Sequence, residues 1–213
     1  FGLPGSFPSK VEEQANAIVQ SIHTKEIKRR MDFRDIFTLT IDPLDARDFD
    51  DALSVQKIND DEWEIGVHIA DVSYYVPLNS ALDKEARKRG NSTYLVGEVV
   101  PMLPQSLSNG ICSLVEGQDR LVKSVLFHFR NDGKMLNAKL AECVINSNKR
   151  LTYEQAILFL RGNRLESIKK AKPPSSRYSG NPGKSLQELS SEELKQINQT
   201  IQRLWSIASK LRT

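Results

Sequence analysis

The 213-residue chain carries 30 Lys and Arg against 27 Asp and Glu, a formal charge of +3, and its 39% apolar side chains are enough for a packed core. It contains no run of about 18 uncharged apolar residues and no basic-then-apolar leader, so membrane spanning and signal-directed export have no support and a soluble, cytoplasmic protein is expected. Cys112 and Cys143 allow at most one disulfide and form no CxxC pair, which argues against a disulfide scaffold or a structural zinc site and for core packing.

Residues 1–8 are rich in Pro and Gly and read as a leading segment or cut linker. Ser9 with Glu12 makes a capping box. Val11, Ala15, Ile18, Val19, Ile22 and Ile27 then keep near-helical spacing up to Lys28-Arg29-Arg30, which predicts one helix over about 10–30. The period then changes. Residues 37–41, 52–58 and 64–70 are rich in β-branched residues and read as strands, the last two joined as a hairpin by Asn59-Asp60-Asp61. Ser80 and Asp83 open a short helix that ends at Gly90, followed by a loop-like passage to Gly117. Asn131-Asp132-Gly133 between 121–130 and 134–145 predicts a second hairpin.

Beyond residue 150 the chain reads as helical. Thr152 with Gln155 opens one helix, and Ser190 with Glu193 opens another, whose Leu194, Ile197, Ile201, Leu204, Trp205, Ala208 and Leu211 share one face. The stretch 169–184 between them is a surface loop or disordered insertion by composition. Charge is uneven as well: residues 1–148 hold 17 basic and 22 acidic side chains, net −5, and residues 149–213 hold 13 and 5, net +8. A basic C-terminal part suits either polyanion contact or plain solvated surface.

The most informative stretch is Thr40-Ile-Asp42-Pro-Leu-Asp45-Ala-Arg-Asp48-Phe-Asp50-Asp51-Ala-Leu-Ser54. Five aspartates and one arginine lie within residues 42–51, between two strands that can aim several carboxylates at one point. Carboxylates so close repel one another and, if buried, protonate unless cations neutralise them. A solvated acidic loop is the bland alternative. Hard oxygen donors select Mg²⁺, Mn²⁺ or Ca²⁺ over zinc. An EF-hand needs Gly at loop position six and Glu at twelve; Arg47 and Leu53 stand there counting from Asp42, and Asp50 and Gln56 counting from Asp45. Magnesium fits better, and two such ions about 4 Å apart would clamp a phosphodiester displacement.

This stretch resembles the signature of the ribonuclease II superfamily, the RNB catalytic domain, and is closer to the bacterial ribonuclease R branch. Further matches run in order: Gly2-Leu-Pro4, Asp32-Phe-Arg34-Asp35, Val67-His-Ile-Ala-Asp-Val-Ser73, Arg89-Gly90, Thr93-Tyr94-Leu95, Pro101-Met-Leu-Pro104 and Ile111-Cys-Ser-Leu114. The resemblance implies an α+β fold, a mixed, largely antiparallel sheet with flanking helices. It also implies a processive, hydrolytic 3′-to-5′ exoribonuclease that converts single-stranded RNA to nucleoside 5′-monophosphates, with Mg²⁺ as cofactor (Mn²⁺ substituting) and no obligate protein partner. By motif position Asp42, Asp48, Asp50 and Asp51 are the metal-site carboxylates, Asp50 being the one most needed for the chemical step, and Asp45 supports the loop. Tyr94 matches the aromatic that stacks on the 3′-terminal nucleotide, a contact indifferent to base identity.

Compared with complete members, the cold-shock-like OB modules, the S1-type OB module and the later half of the catalytic domain are missing. Residues 9–213 are therefore expected to be a partial catalytic domain with exposed apolar helix faces, and to have little or no activity alone. A catalytically silent RNA-binding relative and a metal-dependent phosphoesterase are the alternatives. His68, three residues before Asp71, raises the question of a general-base pair, but a structural role is the expectation, as for His23 and His128. Lys84, Arg87, Lys88 and Arg89 read as a solvated helix face before an RNA track. Trp63 and Trp205 read as core or interface residues.

Overall fold

The computed structural model describes residues 5–18, 21–95, 98–162, 164–170 and 183–212. Most of the expected 169–184 loop and Val19 of the expected first helix lie outside the described residues. Two helices, α1 (Ser9–Asn16) and α2 (Thr24–Arg29), replace the single helix predicted over 10–30. The break follows from a competing start signal: the His23 ring accepts the Lys25 N–H at 3.1 Å and caps a new helix with Glu26 in its first turn. The Ser9–Glu12 capping box does not form. Pro8 is the N-cap, its carbonyl accepting from the Val11 and Glu12 N–H groups at 2.9 and 3.2 Å, and Ser9 is already the first helical residue.

Strands β1 (Met31–Phe33), β2 (Thr38–Asp42), β3 (Asp51–Lys57) and β4 (Glu62–Ala70) follow. A single turn, α3 (Val72–Tyr75), leads to α4 (Ala81–Arg89), which Ser80 caps and Gly90 ends at φ +79°, a conformation that favours glycine. Two short strands, β5 (Thr93–Leu95) and β6 (Glu98–Val100), pair with each other, and a π turn spans Leu107–Ile111. The long hairpin of β7 (Asp119–Arg130) and β8 (Met135–Asn146) turns through Asn131-Asp132-Gly133 as the sequence predicts. Strand β9 (Lys149–Thr152) runs straight into α5 (Tyr153–Leu160), then α6 (Leu165–Lys169), a 3₁₀ turn at Leu186–Glu188 and α7 (Ser191–Leu211). The capping boxes predicted at Thr152 and Ser190 both form.

Seven strands make one sheet in the order β1-β8-β7-β4-β3-β2-β9, parallel only at the outer pairs β1–β8 and β2–β9. This is the expected α+β architecture, a mixed, largely antiparallel sheet with flanking helices. Side-chain alternation divides its core. Leu121 and its partner Val144 meet Val11, Ala15 and Leu82 of α1 and α4, while the next pair, Val122 and Cys143, packs with Phe33, Phe49 and Leu114 on the other face. Cys112 and Cys143 are buried free thiols, as expected.

Helix α7 packs Leu194, Ile197 and Ile201 against Leu39, Leu151 and Phe159, and Ile207 against Ile65 and Phe129. Trp205, Ala208 and Leu211, predicted on that buried face, are exposed, because they lie on the flank of the stripe that ends at Ile207. Among the described residues no helix is long and apolar enough to cross a membrane.

Candidate acidic site and its aromatic neighbour

Strands β2 and β3 pair only through Thr38–Ser54 and Leu39–Leu53 and then part, so Asp42 closes one strand and Asp51 opens the other. The connecting loop, residues 43–50, is anchored from below. Phe49 is 1% exposed and sits in the core beside Ala52, Leu114 and Val122, a burial that contributes about 1.5–3 kcal/mol. Its backbone is held on both sides: the Phe49 N–H donates to Ser113 Oγ at 3.0 Å, and the Leu114 N–H donates to the Phe49 carbonyl at 2.8 Å. The Asp50 carbonyl accepts from the Ala70 N–H at 2.9 Å. The Ile111–Leu114 segment thus holds in place the residue that separates Asp48 from Asp50.

The carboxylates differ in surroundings. Asp42 is buried, and its Oδ2 lacks a hydrogen-bond partner. Burial pushes its pKa up to about 6; the Thr40 hydroxyl and the Arg150 guanidinium oppose that shift, and the charges of Asp51 and Asp50 add to it. Asp50 is raised too, by the protein packed around it and then by Asp48 and Asp51. Asp45, Asp50 and Asp51 nonetheless expose their side chains to solvent, and Asp48 is half-buried.

Tyr94 comes from β5, 46 residues along the chain, and donates its hydroxyl to Asp48 Oδ2 at 2.8 Å. Its side chain is 63% exposed, leaving an aromatic surface beside the carboxylates. Partial burial of the hydroxyl, then the bond to Asp48 and the charges of Asp48 and Asp50, push its pKa up to about 12. The fold therefore brings Tyr94 to Asp48 and puts Asp42, Asp50 and Asp51 within one another's field. It does not close them into a finished cage: among the described residues no three His, Cys, Asp or Glu side chains form a group that could hold a metal ion. The donor chemistry nonetheless fits a hard dication, since every candidate ligand is a carboxylate oxygen and Asp42 keeps one oxygen buried and unpartnered.

Sequence reasoning missed Arg150. It lies on β9, in register with Thr40 of β2, and is 1% exposed. Its Nη2 donates to the carbonyls of Pro43 and Leu44 at 2.8 and 3.2 Å, and its guanidinium lies 5.3 Å from the Phe49 ring centroid. In the sequence it is one of two adjacent cations ahead of a helix, with no local signal of burial.

The histidines take structural roles. His68 is fully buried between Ser54 Oγ at 2.9 Å and Ser124 Oγ at 2.8 Å, and burial lowers its pKa to about 4, so it is neutral with both nitrogens engaged. Asp71 is bound instead to Arg30 at 2.6 Å. His128 meets Glu62 at 3.0 Å. Lys84, Arg87 and Lys88 are exposed on α4, whereas Arg89 turns inward to Glu85, the Pro101 and Ser6 carbonyls and the Phe7 ring. Trp63 is half-buried under Arg203 and donates to Asn131 Oδ1 at 2.8 Å.

Comparison with known proteins identifies the family. The RNB domain family matches residues 30–213. Ribonuclease R of Thermotoga maritima is 52% identical over 157 residues, 74% of this chain and 22% of the relative. Two solved structures of Mycoplasma genitalium RNase R, one in complex with double-stranded RNA and one with ribose methylated single-stranded RNA, each superpose with a TM-score of 0.80 at 29% identity. They cover 99% of this chain, which in turn covers 33% and 29% of theirs. The chain spans about a fifth of the length of the curated relatives it matches. With a matching family over residues 30–213 and a fold shared along nearly its whole length, this chain belongs to the RNB domain family.

Proposed function

We propose that this chain supplies the carboxylate site of an exoribonuclease that hydrolyses single-stranded RNA from the 3′ end, processively, releasing nucleoside 5′-monophosphates. The observation that carries the proposal is the contact between Tyr94 and Asp48: an exposed ring stands against an acidic loop that lies 46 residues away in sequence. A terminal base stacked on that ring has its phosphodiester beside the carboxylates, and stacking accepts any base. Accepting the Tyr94 hydroxyl hydrogen bond on Oδ2, Asp48 fixes the ring's tilt, and with Asp42, Asp50 and Asp51 it supplies oxygen donors for Mg²⁺ or Mn²⁺. When bound, such a cation supplies electrostatic stabilisation to the charge that develops on the phosphodiester. Asp50, raised by desolvation and then by its neighbours Asp48 and Asp51, is the group on which cation binding and the chemical step most depend.

A silent RNA-binding relative would have no need of four mutually repelling carboxylates, and a small-molecule phosphoesterase no need of the Tyr94 platform. The test is digestion of 5′-labelled single-stranded RNA by the whole protein with Mg²⁺, beside Asp50→Asn. Stepwise 3′ shortening by the wild type alone is expected. Internal cuts, or an equally active variant, would overturn the proposal.

A further inference from the structure

The loop that carries Asp45, Asp48 and Asp50 has few backbone hydrogen bonds of its own, chiefly the Ala46 N–H to the Pro43 carbonyl at 3.2 Å. Between the end of β2 and the start of β3 it is held by two buried groups, its own Phe49 and, from β9, Arg150. Arg150 reaches both limbs of the bend from beneath: two carbonyls at its start, Pro43 and Leu44, and the Phe49 ring near its end. The arginine is itself fixed, its backbone N–H donating to Glu116 Oε2 at 2.9 Å and its strand paired with β2. Its Nε and Nη1 are buried without partners. A buried guanidinium left partly unsatisfied is costly, so it persists where its shape is needed.

We propose that Arg150 is the positioning residue of the acidic loop: its planar fork sets the spacing of the two limbs and thereby the approach of Asp48 and Asp50 to Asp42. Shape, not charge, does this. A lysine ammonium is a point charge that cannot hold two carbonyls in a plane while lying against an aromatic ring. Charge works in the opposite sense, since a buried cation beside Asp42 repels any dication the carboxylates take up.

The two contributions make opposite predictions, which the full chain with Arg150→Lys and Arg150→Met separates. The first measurement, without metal, is amide hydrogen exchange. The Ala46 and Phe49 amides are expected to exchange at least about tenfold faster in both variants, with the β3–β4 amides unchanged. Wild-type exchange at these two amides in Arg150→Lys would show that charge suffices and would overturn the proposal. The second measurement, Mn²⁺ titration followed by electron paramagnetic resonance, rests on the cation reading under Proposed function. At a pH high enough to keep Asp42 ionised in both proteins, positioning predicts at least about tenfold weaker binding by Arg150→Met, whereas loss of an electrostatic bystander predicts tighter binding; tighter or unchanged binding overturns the proposal. If the wild type takes up no Mn²⁺, the cation reading fails, and the exchange measurement alone decides the role of Arg150. Should Arg150→Met not fold, Arg150→Lys carries both measurements.

Discussion

Asp42→Asn should stabilise the metal-free protein at neutral pH. The Asp42 carboxyl is pushed up to about 6 from an ordinary 3.8, chiefly by burial. At about 1.4 kcal/mol for each tenfold change in proton affinity, that gap corresponds to about 3 kcal/mol. Its sign follows from linkage. Between pH 3.8 and 6 the folded state holds a proton that the unfolded state has released, so stability falls as pH rises through that window, and the whole loss is present above pH 6. Asparagine has no proton to lose. His68, lowered to about 4 from 6.5, works in the opposite sense, its contribution rising with pH between those values, but it is present in both proteins and drops out of their difference. Urea unfolding in EDTA from pH 4 to 7.5 should show Asp42→Asn and wild type nearly equal at the acid end and separated by roughly 2–3 kcal/mol at pH 7.5. A variant no more stable at pH 7.5, or a difference independent of pH, would refute the account of Asp42 as a buried, uncompensated carboxylate. Saturating Mn²⁺ should then narrow the gap by stabilising only the wild type.

Three further substitutions test other parts of the account. In the whole protein, Tyr94→Ala should weaken single-stranded RNA binding by about 1–3 kcal/mol, roughly 5- to 150-fold, in a filter-binding assay, while Tyr94→Phe, which keeps the ring, stays close to wild type; equal losses would remove stacking from the explanation. Arg30→Met takes from Asp71, whose side chain is 1% exposed, its 2.6 Å guanidinium partner, leaving the Ser73 hydroxyl and a more distant Lys123, and should lower stability by about 3–5 kcal/mol in urea titration, a loss below about 1 kcal/mol being inconsistent with a buried pair. Gly66→Ala would drive a Cβ into Ser54 Oγ and the His68 ring; a loss of about 1–3 kcal/mol is expected, and an unchanged unfolding midpoint would contradict the close packing of the Ser54–His68–Ser124 row.

The parts of the fold that could be read from the sequence are those specified by neighbouring residues. The β3–β4 and β7–β8 hairpins carry their own turn residues, and α4, α5 and α7 carry their own caps. Strands β1 and β9 could not be read, because each is short and gains its order from a parallel partner more than a hundred residues away, Met31 with Cys143 and Leu39 with Lys149. For the same reason nothing local in the sequence marks Lys149 and Arg150, which are almost fully buried. The break between α1 and α2 was hidden by continuous apolar spacing, whereas the start signal lay in one histidine cap. In the site, the aspartates and Tyr94 were legible as a motif. Their contact was not, since it depends on how β5 is carried back over the loop, and neither was the buried guanidinium beneath them.

On the function proposed above, Asp42, Asp48, Asp50 and Asp51 hold divalent cations beside a base-stacking Tyr94. Crystals of the whole protein with bound single-stranded RNA and Mn²⁺ test it directly by anomalous diffraction. At least one anomalous peak is expected about 2.1 Å from oxygens of two or more of these carboxylates, with the 3′-terminal base against the Tyr94 ring. RNA seated elsewhere, or Mn²⁺ bound away from all four carboxylates, would contradict it.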